Sequence, residues 1–128
     1  MNGKTIISGS RNITNKQLVR DIIKESPHNP YNGTLLVGDA KGVDELAKGV
    51  LHGYTHVDII EFEADFKQYG SSAGPIRNRK MAKEGDALIA IWNGESPGTK
   101  NMIDCAMEEG LDIYVKVVDT EDSSIFDY

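Results

Sequence analysis

The sequence has few of the residues that stabilise a fold covalently or through a metal. Its 128 residues include one cysteine, Cys105, and three histidines. A single cysteine excludes an intramolecular disulfide and is typical of a reducing compartment, so we expect a cytoplasmic protein. The same scarcity argues against a zinc site, which needs a set of cysteine or histidine ligands. Neither a metal nor a cofactor is predicted.

Long apolar segments are also missing. The longest apolar run, residues 87–92, is far shorter than the ~20 residues that cross a bilayer, and the N-terminus has no apolar signal-peptide core. We therefore expect no membrane partner. The chain length suits one domain with its own core, over residues 1–118. The acidic residues 119–128 form either a frayed tail or a tail that docks on a subunit or neighbouring surface.

The sequence contains fewer basic than acidic residues. The 14 lysines and arginines are outnumbered by 20 aspartates and glutamates, which gives a net charge of −6 and a pI near 5.0. Nonspecific affinity for nucleic acid comes mainly from neutralised phosphates, so nucleic acid is not an expected partner. Aromatic residues make up only 7% of the chain, which also argues against a stacking track for a single strand. A local cationic pocket for a small anion stays compatible with this balance.

Short apolar segments alternate with segments of helical periodicity along the chain. This alternation of strands with helices of about ten residues predicts βαβ units and a parallel sheet. The predicted class is α/β, a three-layer, Rossmann-like open sheet of about five mostly parallel strands with helices on both faces. The predicted strands are residues 4–9, 33–38, 56–62, 86–92 and 113–118, and the predicted helices are residues 14–26, 43–52, 75–84 and 99–109.

Local signals refine these boundaries. Thr14 and Gln17 have the spacing of a capping box at the start of the first helix. Pro75 suits the first residue of the third helix, after a polar loop over residues 63–74. The strand over residues 86–92 is the most apolar, which predicts that it is central and buried on both faces.

Glycine, serine and threonine are frequent in the loops that follow the first four strands. These loops, residues 8–11, 38–44, 69–74 and 93–99, meet at the carboxyl edge of the predicted sheet, where such sheets bind ligands. Small residues let backbone N–H groups approach an anion at helix N-termini, so the edge predicts a pocket for a small anion or nucleotide. The candidate ligand-binding residues are Ser8, Gly9, Ser10, Arg11, Gly38, Asp39, Ala40, Gly42, Asp44, Arg77, Asn78, Lys80, Gly94, Gly98 and Thr99.

The third predicted helix carries Arg77, Arg79, Lys80 and Lys83 near its N-terminus. Each cation there costs about 0.3–1 kcal/mol, which indicates that an anion binds nearby. Arginine is suited to phosphate because its planar fork forms two parallel hydrogen bonds. Arg77 and Lys80 share a face, whereas Arg77 and Arg79 lie about 200° apart and cannot both enter one pocket. The alternative is a solvated face whose cations pair with Glu63, Asp65 or Glu84.

Two further side chains have two interpretations each. Asp44 either accepts a ribose hydroxyl or caps the second helix. Trp92 either stacks on a base or belongs to the core. No Ser-His-Asp or Cys-His arrangement can be argued from the sequence. Residues 94–98 lack the Gly-Lys-Ser/Thr ending of a phosphate-binding P-loop, which excludes an NTPase of that type.

The chain resembles the SLOG superfamily in four segments that occur in the family's order: residues 8–11, 38–44, 73–81 and 86–99. That superfamily contains the DprA (Smf) DNA-processing proteins, the LOG cytokinin-activating phosphoribohydrolases and small single-domain members. The resemblance spans residues 4–118 and is strongest for the small YspA/YpsA-like branch. It implies a Rossmann-like fold that binds a nucleotide or nucleotide-derived ligand across these loops, and a homo-oligomer, dimeric or larger.

One position departs from the LOG-type hydrolases. Their catalytic glutamate lies three residues after a Gly-Thr pair, and here Gly98-Thr99 is followed at that position by Met102, which cannot act as an acid or base. The resemblance therefore implies binding of an ADP-ribose-like or other nucleotide ligand, by a sensor or a sequestering or carrier protein. The alternative is a LOG-like phosphoribohydrolase, an N-glycosidase acting on a nucleoside monophosphate, with Arg79, Glu95, Asp44 or Asp39 as candidate catalytic residues.

Overall fold

The computed structural model describes residues 3–28 and 30–119. They form a parallel five-stranded sheet with helices on both faces, as predicted. The predicted strands and helices are all found, each boundary within two residues of its expected place. The strands are β1 (Lys4–Gly9), β2 (Thr34–Gly38), β3 (Asp58–Phe62), β4 (Ala87–Trp92) and β5 (Asp112–Val117). The helices are α1 (Lys16–Glu25), α2 (Val43–Leu51), α3 (Phe66–Tyr69), α4 (Ala73–Glu84) and α5 (Pro97–Glu108), with 3₁₀ turns at Pro30–Asn32 and Gly70–Ser72.

The strand order is β3-β2-β1-β4-β5, with β1 at the centre. Ile6 of β1 is aligned with Leu36 of β2 on one side and with Leu88 of β4 on the other. β4 is buried on both faces as predicted, but the prediction that it is central is wrong, because it lies one position outward from β1. The chain crosses from β3 at one edge to β4 on the far side of β1. The carboxyl ends of β1 and β4 are therefore the switch point of the sheet.

Alternate side chains of the interior strands supply two separate cores. In β1, Ile7 packs with residues of α1 and α2, whereas Ile6 packs with residues of α4 and α5. In β4, Ile89 belongs to the first core and Leu88 to the second, and all four side chains are fully buried. Burial of each such side chain contributes about 1.5–3 kcal/mol. The continuous apolar runs in these strands are thus what a sheet covered on both faces requires.

The N-terminus of α1 differs from the predicted capping box. Asn15 is the N-cap, and its side chain accepts a hydrogen bond from the Leu18 amide at 3.1 Å. Asparagine caps at least as well as threonine, so a start one residue later costs nothing in capping. Gln17 instead donates to Asp21 at 2.8 Å along the exposed face of the helix. The prediction that Thr14 and Gln17 form the cap is therefore wrong.

The segment over residues 63–74 is more ordered than the predicted polar loop. Asp65 caps the short helix α3 by accepting a hydrogen bond from the Gln68 amide at 3.1 Å. A 3₁₀ turn follows, and α4 begins at Ala73, so Pro75 is its third residue and not its first. Proline is tolerated there because the N–H groups of the first helical turn have no intrahelical acceptor. The loop prediction was wrong for this segment, which forms one wall of the cleft described below.

Two further predictions concern membrane-spanning segments and the acidic C-terminal tail. Among the residues described, no helix is long and apolar enough to cross a membrane. The predicted acidic tail, residues 119–128, lies outside the described residues from position 120 onward. Both interpretations of that tail, and the domain boundary before it, stay predictions.

Candidate functional site

A cleft of about 400 Å³ opens at the carboxyl ends of the strands, above the switch point between β1 and β4. The loops after β1, β2, β3 and β4 all contribute to it, together with the first turns of α4 and α5. This is the edge at which the sequence predicts a ligand site. The cleft is lined by Ser8, Gly9, Arg11, Ala40, Asp44, Phe66, Ser71, Gly74, Pro75, Arg77, Asn78, Ser96, Pro97, Gly98, Thr99 and Asn101.

The N-terminus of α5 forms one end of the cleft. Its first ladder bond runs from the Lys100 amide to the Ser96 carbonyl at 3.2 Å. The amides of Gly98 and Thr99 precede this bond and have no acceptor in the described part of the chain. The twelve-residue helix adds its dipole to these free donors. This end of the cleft therefore favours an anion, for the reason that helix N-termini bind phosphate.

The loop that leads into α5 is held by hydrogen bonds from the strand ends. The Asn93 amide donates to Ser10 Oγ at 3.0 Å, and Asn93 Oδ1 accepts from the amides of Glu95 and Ser96 at 2.9 and 2.8 Å. The Trp92 indole N–H donates to the Ser96 carbonyl at 3.0 Å. Ser10 and Trp92 therefore support the loop from behind, and neither lines the cleft.

Arg77 of α4 is fixed by two hydrogen bonds and is largely buried. Its Nη1 lies 2.9 Å from Asp39 Oδ1, and its Nε donates to Asn78 Oδ1 at 2.9 Å. The alternative that this cation pairs with Glu63, Asp65 or Glu84 is wrong, because the partner comes from the loop after β2. Arg77 lines the cleft while Arg79 is exposed outside it, which confirms that the two cannot share one pocket.

Asp44 is a buried carboxylate in the wall of the cleft, 4% exposed. One oxygen accepts a hydrogen bond from the Ala40 amide at 3.2 Å, and the other has no hydrogen-bond partner among residues 3–28 and 30–119. Burial raises its pKa from 3.8 to about 6, although the Ala40 amide and Arg77 both act to lower it. Asp44 is not the cap of α2, since Gly42 occupies that position, so the capping interpretation is wrong.

Asn78 connects the two helices that border the cleft. Its side-chain amide donates to Asn101 Oδ1 at 2.9 Å and to the Gly98 carbonyl at 3.4 Å. The same side chain accepts from Arg77, so one buried group fixes both the guanidinium and the first turn of α5. A completely bonded buried amide of this kind holds its neighbours in one geometry.

The structure brings together nine of the predicted ligand-binding residues and leaves six outside the cleft. Those that line it are Ser8, Gly9, Arg11, Ala40, Asp44, Arg77, Asn78, Gly98 and Thr99. Ser10, Gly38 and Gly42 do not line the cleft, and Asp39, Lys80 and Gly94 are exposed outside the lining. Of the candidate catalytic residues, Asp44 lines the cleft, whereas Arg79 and Glu95 are exposed outside it. In the described part of the chain, no group of three or more histidine, cysteine or acidic side chains is arranged to hold a metal ion.

Sequence reasoning missed several lining residues. Ser71 and Gly74 lie in the loop over residues 69–74 that was predicted to border the site, but no residue of that loop was named as a candidate. Phe66 and Pro75 lie outside that loop and were missed with it. Asn101 was also missed. Its place two residues after the Gly-Thr pair, near the start of α5, is the signal that could have found it.

Comparisons with known proteins support the fold. No protein-family model matches the chain. The "Gene 61 protein" of Mycobacterium phage D29 is 28% identical over 116 residues, which cover 86% of this chain and 93% of that protein. DNA processing protein A (DprA) from Streptococcus pneumoniae superposes with a TM-score of 0.73 at 19% identity, over 98% of this chain. The fold is similar to that of DprA.

The likeness to DprA covers only part of that protein. This chain spans 55% of the DprA chain, and the identity is low enough that the likeness concerns the fold alone. The Rossmann-like class predicted from the SLOG resemblance is thereby confirmed, while the small YspA/YpsA-like branch stays a prediction. Met102, at the position of the LOG glutamate, is fully buried among residues of α4 and α5 and does not line the cleft.

Proposed function

We propose that this protein binds a nucleotide or a nucleotide-derived ligand such as ADP-ribose in the cleft, as a sensor or a sequestering or carrier protein. The observation that carries this proposal is that Arg77 and the free amides of Gly98 and Thr99 border the same cleft at the switch point of the sheet. The cleft volume of about 400 Å³ lies in the range of small-molecule sites.

The phosphate of the ligand would lie against the N-terminus of α5. Gly98 carries no side chain that could block its amide, and no other atom of the described residues lies within 4 Å of where its Cβ would be. Arg77 lines the same cleft and supplies positive charge, and its two existing hydrogen bonds hold the planar fork in place. An arginine held in this way loses little entropy when it binds an anion.

The ribose would lie against Asp44. Its free oxygen is a strong acceptor in a buried setting, suited to a sugar hydroxyl. Asp39, the other acidic candidate, does not line the cleft and already accepts from Arg77. Asp44 is therefore the acidic group that we assign to the sugar.

The proposal is tested by calorimetric titration with AMP and ADP-ribose. Arg77→Ala should weaken binding by about 10-fold to 150-fold, because a hydrogen bond to a charged group contributes about 1.5–3 kcal/mol. Lys83→Ala, on the exposed face of the same helix, is the matched control and should bind as the wild type does. Thermal unfolding of each variant checks the fold. Unchanged affinity in a folded Arg77→Ala variant would remove Arg77 from the site.

Asp44 also favours a second candidate function, hydrolysis of an N-glycosidic bond. A carboxyl group with a pKa of about 6 keeps a fraction of its protons near neutral pH and can donate one to a leaving base. Water would then add to the sugar carbon as the base leaves with the proton of Asp44, and the proton released by the water would return to the carboxylate. The burial of Met102 and the positions of Arg79 and Glu95 outside the cleft make this candidate the second choice.

Chromatography of AMP incubated with the protein separates the two functions. A sensor or carrier leaves the nucleotide intact after long incubation. A hydrolase releases adenine and ribose 5-phosphate, and Asp44→Asn should abolish the release while Glu95→Gln leaves it unchanged. Native mass spectrometry of the same samples would also give the number of subunits, for which we propose a dimer or a larger homo-oligomer.

A further inference from the structure

Phe66 is an exposed aromatic side chain in the wall of the cleft. It is 59% exposed, although a phenyl ring is among the side chains that gain most from burial. It lines the cleft together with Ser71, Gly74 and Pro75 of the segment after β3. The N-terminus of α5 lines the same cleft. An apolar ring thus faces the same space as the anion-binding groups.

The segment that carries the ring contacts the same carboxylate that holds Arg77. Asp39 Oδ1 accepts from Arg77 Nη1 at 2.9 Å, and Asp39 Oδ2 accepts from the Ala64 amide at 3.4 Å, two residues before Phe66. Asp65, directly before the ring, is the N-cap of α3. One carboxylate thus links the guanidinium to the backbone that precedes the phenyl ring.

The ring and the N-terminus of α5 belong to segments that follow different strands. Phe66 follows β3 and α5 follows β4, with β2 and β1 between these strands in the sheet. The two segments nevertheless meet, because Asn78 of α4 donates to the Gly98 carbonyl of α5 at 3.4 Å. They line one cleft of about 400 Å³, so the ring and the free amides of α5 belong to one site of small-molecule size.

We propose that Phe66 stacks on the nucleobase of the ligand, so that the site selects nucleotides that retain a base over sugar phosphates that lack one. The assignment rests on the proposed function, since it takes the phosphate end as given. Stacking on an aromatic side chain contributes to binding whichever base is present, because every base has a flat π-face. A bound base would cover this exposed ring.

The test is calorimetric titration with AMP and with ribose 5-phosphate, which differ by the base. We expect the wild type to bind AMP more tightly than ribose 5-phosphate. Phe66→Ala should weaken AMP binding by about 5-fold to 150-fold, the range for loss of one stacked aromatic, and leave ribose 5-phosphate binding unchanged. Phe66→Tyr should keep the preference for AMP, since it keeps the aromatic face.

Tyr69→Ala is the matched control. Tyr69 lies on the same short helix and is 40% exposed, but it does not line the cleft, so its removal should leave AMP binding unchanged. Equal loss of both ligands in Phe66→Ala, or loss of neither, would overturn the stacking assignment while phosphate binding in the cleft survives. If the wild type binds neither AMP nor ribose 5-phosphate, the proposed nucleotide function fails and the stacking assignment fails with it.

Discussion

The glycines in the two halves of the cleft differ in how much space surrounds them. In the half built by the loops after β1 and β2, a Cβ at Gly9 would lie 2.5 Å from Val43 Cγ2 and closer still to the Ile91 carbonyl oxygen. A Cβ at Gly38 would lie 2.5 Å from Arg77 Nη1. In the half built by α4 and α5, a Cβ at Gly74 or Gly98 would meet no described atom within 4 Å. Glycine is thus required by packing in the first half and leaves open space in the second.

The difference shows that glycines at one sheet edge can have two separate roles, one in packing and one in keeping backbone amides accessible. Crowded glycines allow close approach between a strand end and the helix after it, which any tight βα connection needs. Gly42 adds a conformational requirement, since its φ of 77° is rarely adopted by other residues. Gly74 and Gly98, the open glycines at the helix N-termini, are required neither by close packing nor by a positive φ. They keep backbone amides accessible, and they are the ones that bear on ligand binding.

The largest difference in stability between the two halves is expected from Gly9→Ala, in the crowded half. The added methyl group collides with backbone and with a fully buried valine, so the free energy of unfolding should fall by about 3 kcal/mol, the upper part of the overpacking range. Gly98→Ala is the matched change in the open half, and it should alter stability by less than about 1 kcal/mol because alanine is the better helix former. Urea denaturation measures both. Equal losses in the two variants would mean that the halves do not differ.

A smaller effect is expected from the buried carboxylate of the crowded half. The pKa of Asp44 is raised to about 6, so the folded state holds this proton more tightly than the unfolded chain does. The stability that the proton provides is complete below the unfolded pKa of 3.8 and is lost as the pH rises through about 6. A shift of about two pKa units corresponds to no more than about 3 kcal/mol.

Asp44→Asn removes this dependence and keeps an oxygen that can accept from the Ala40 amide. The variant should match the wild type near pH 4 and become more stable than it as the pH rises to 7.5, by up to the amount given above. Urea denaturation of the pair at several pH values is the measurement. A stability difference that stays constant from pH 4 to pH 7.5 would contradict the raised pKa.

A loss of stability smaller than those at Gly9 and Asp44 is expected in the open half, from Asn78→Ala. The change removes the bonds to Asn101, Gly98 and Arg77, and it should lower the free energy of unfolding by about 1–2 kcal/mol because water from the cleft can reach the groups left behind. AMP affinity should fall as well, since Arg77 and the first turn of α5 lose their common support. Calorimetry and thermal unfolding on the same sample test this. A loss of stability with full affinity would make Asn78 a packing residue only.

The fold could be predicted from the sequence because its signals are local and repeated. The apolar runs of β1, β2 and β4 are short, end in glycine or polar residues and alternate with helical periods, which leaves few arrangements other than a covered parallel sheet. Two local predictions were wrong for different reasons. Thr14 and Asn15 can both cap a helix, so the sequence did not decide between them. Residues 63–74 contain a helix that is too short to show a helical period.

The site was predictable in position but not in its contacts. The edge of the sheet and the participation of Arg77, Asp44 and Gly98 follow from loop order and helix termini. The pairing of Arg77 with Asp39 does not, because the two residues are 38 positions apart and meet only once β2 and α4 are packed. The exposure of Phe66 is likewise a tertiary property, since its segment gives no sign of facing the cleft.

The Arg77–Asp39 ion pair balances charge in the wall of the cleft. Without Asp39, a largely buried guanidinium would lose its ion-pair partner, which is a costly arrangement in a low-dielectric setting. Any anion that reaches Arg77 either shares the guanidinium with Asp39 or displaces that carboxylate. In the second case the affinity for an anion would be the difference between the two pairings. A ligand bound in this way would be released readily, because Asp39 takes the place of its charge as it leaves.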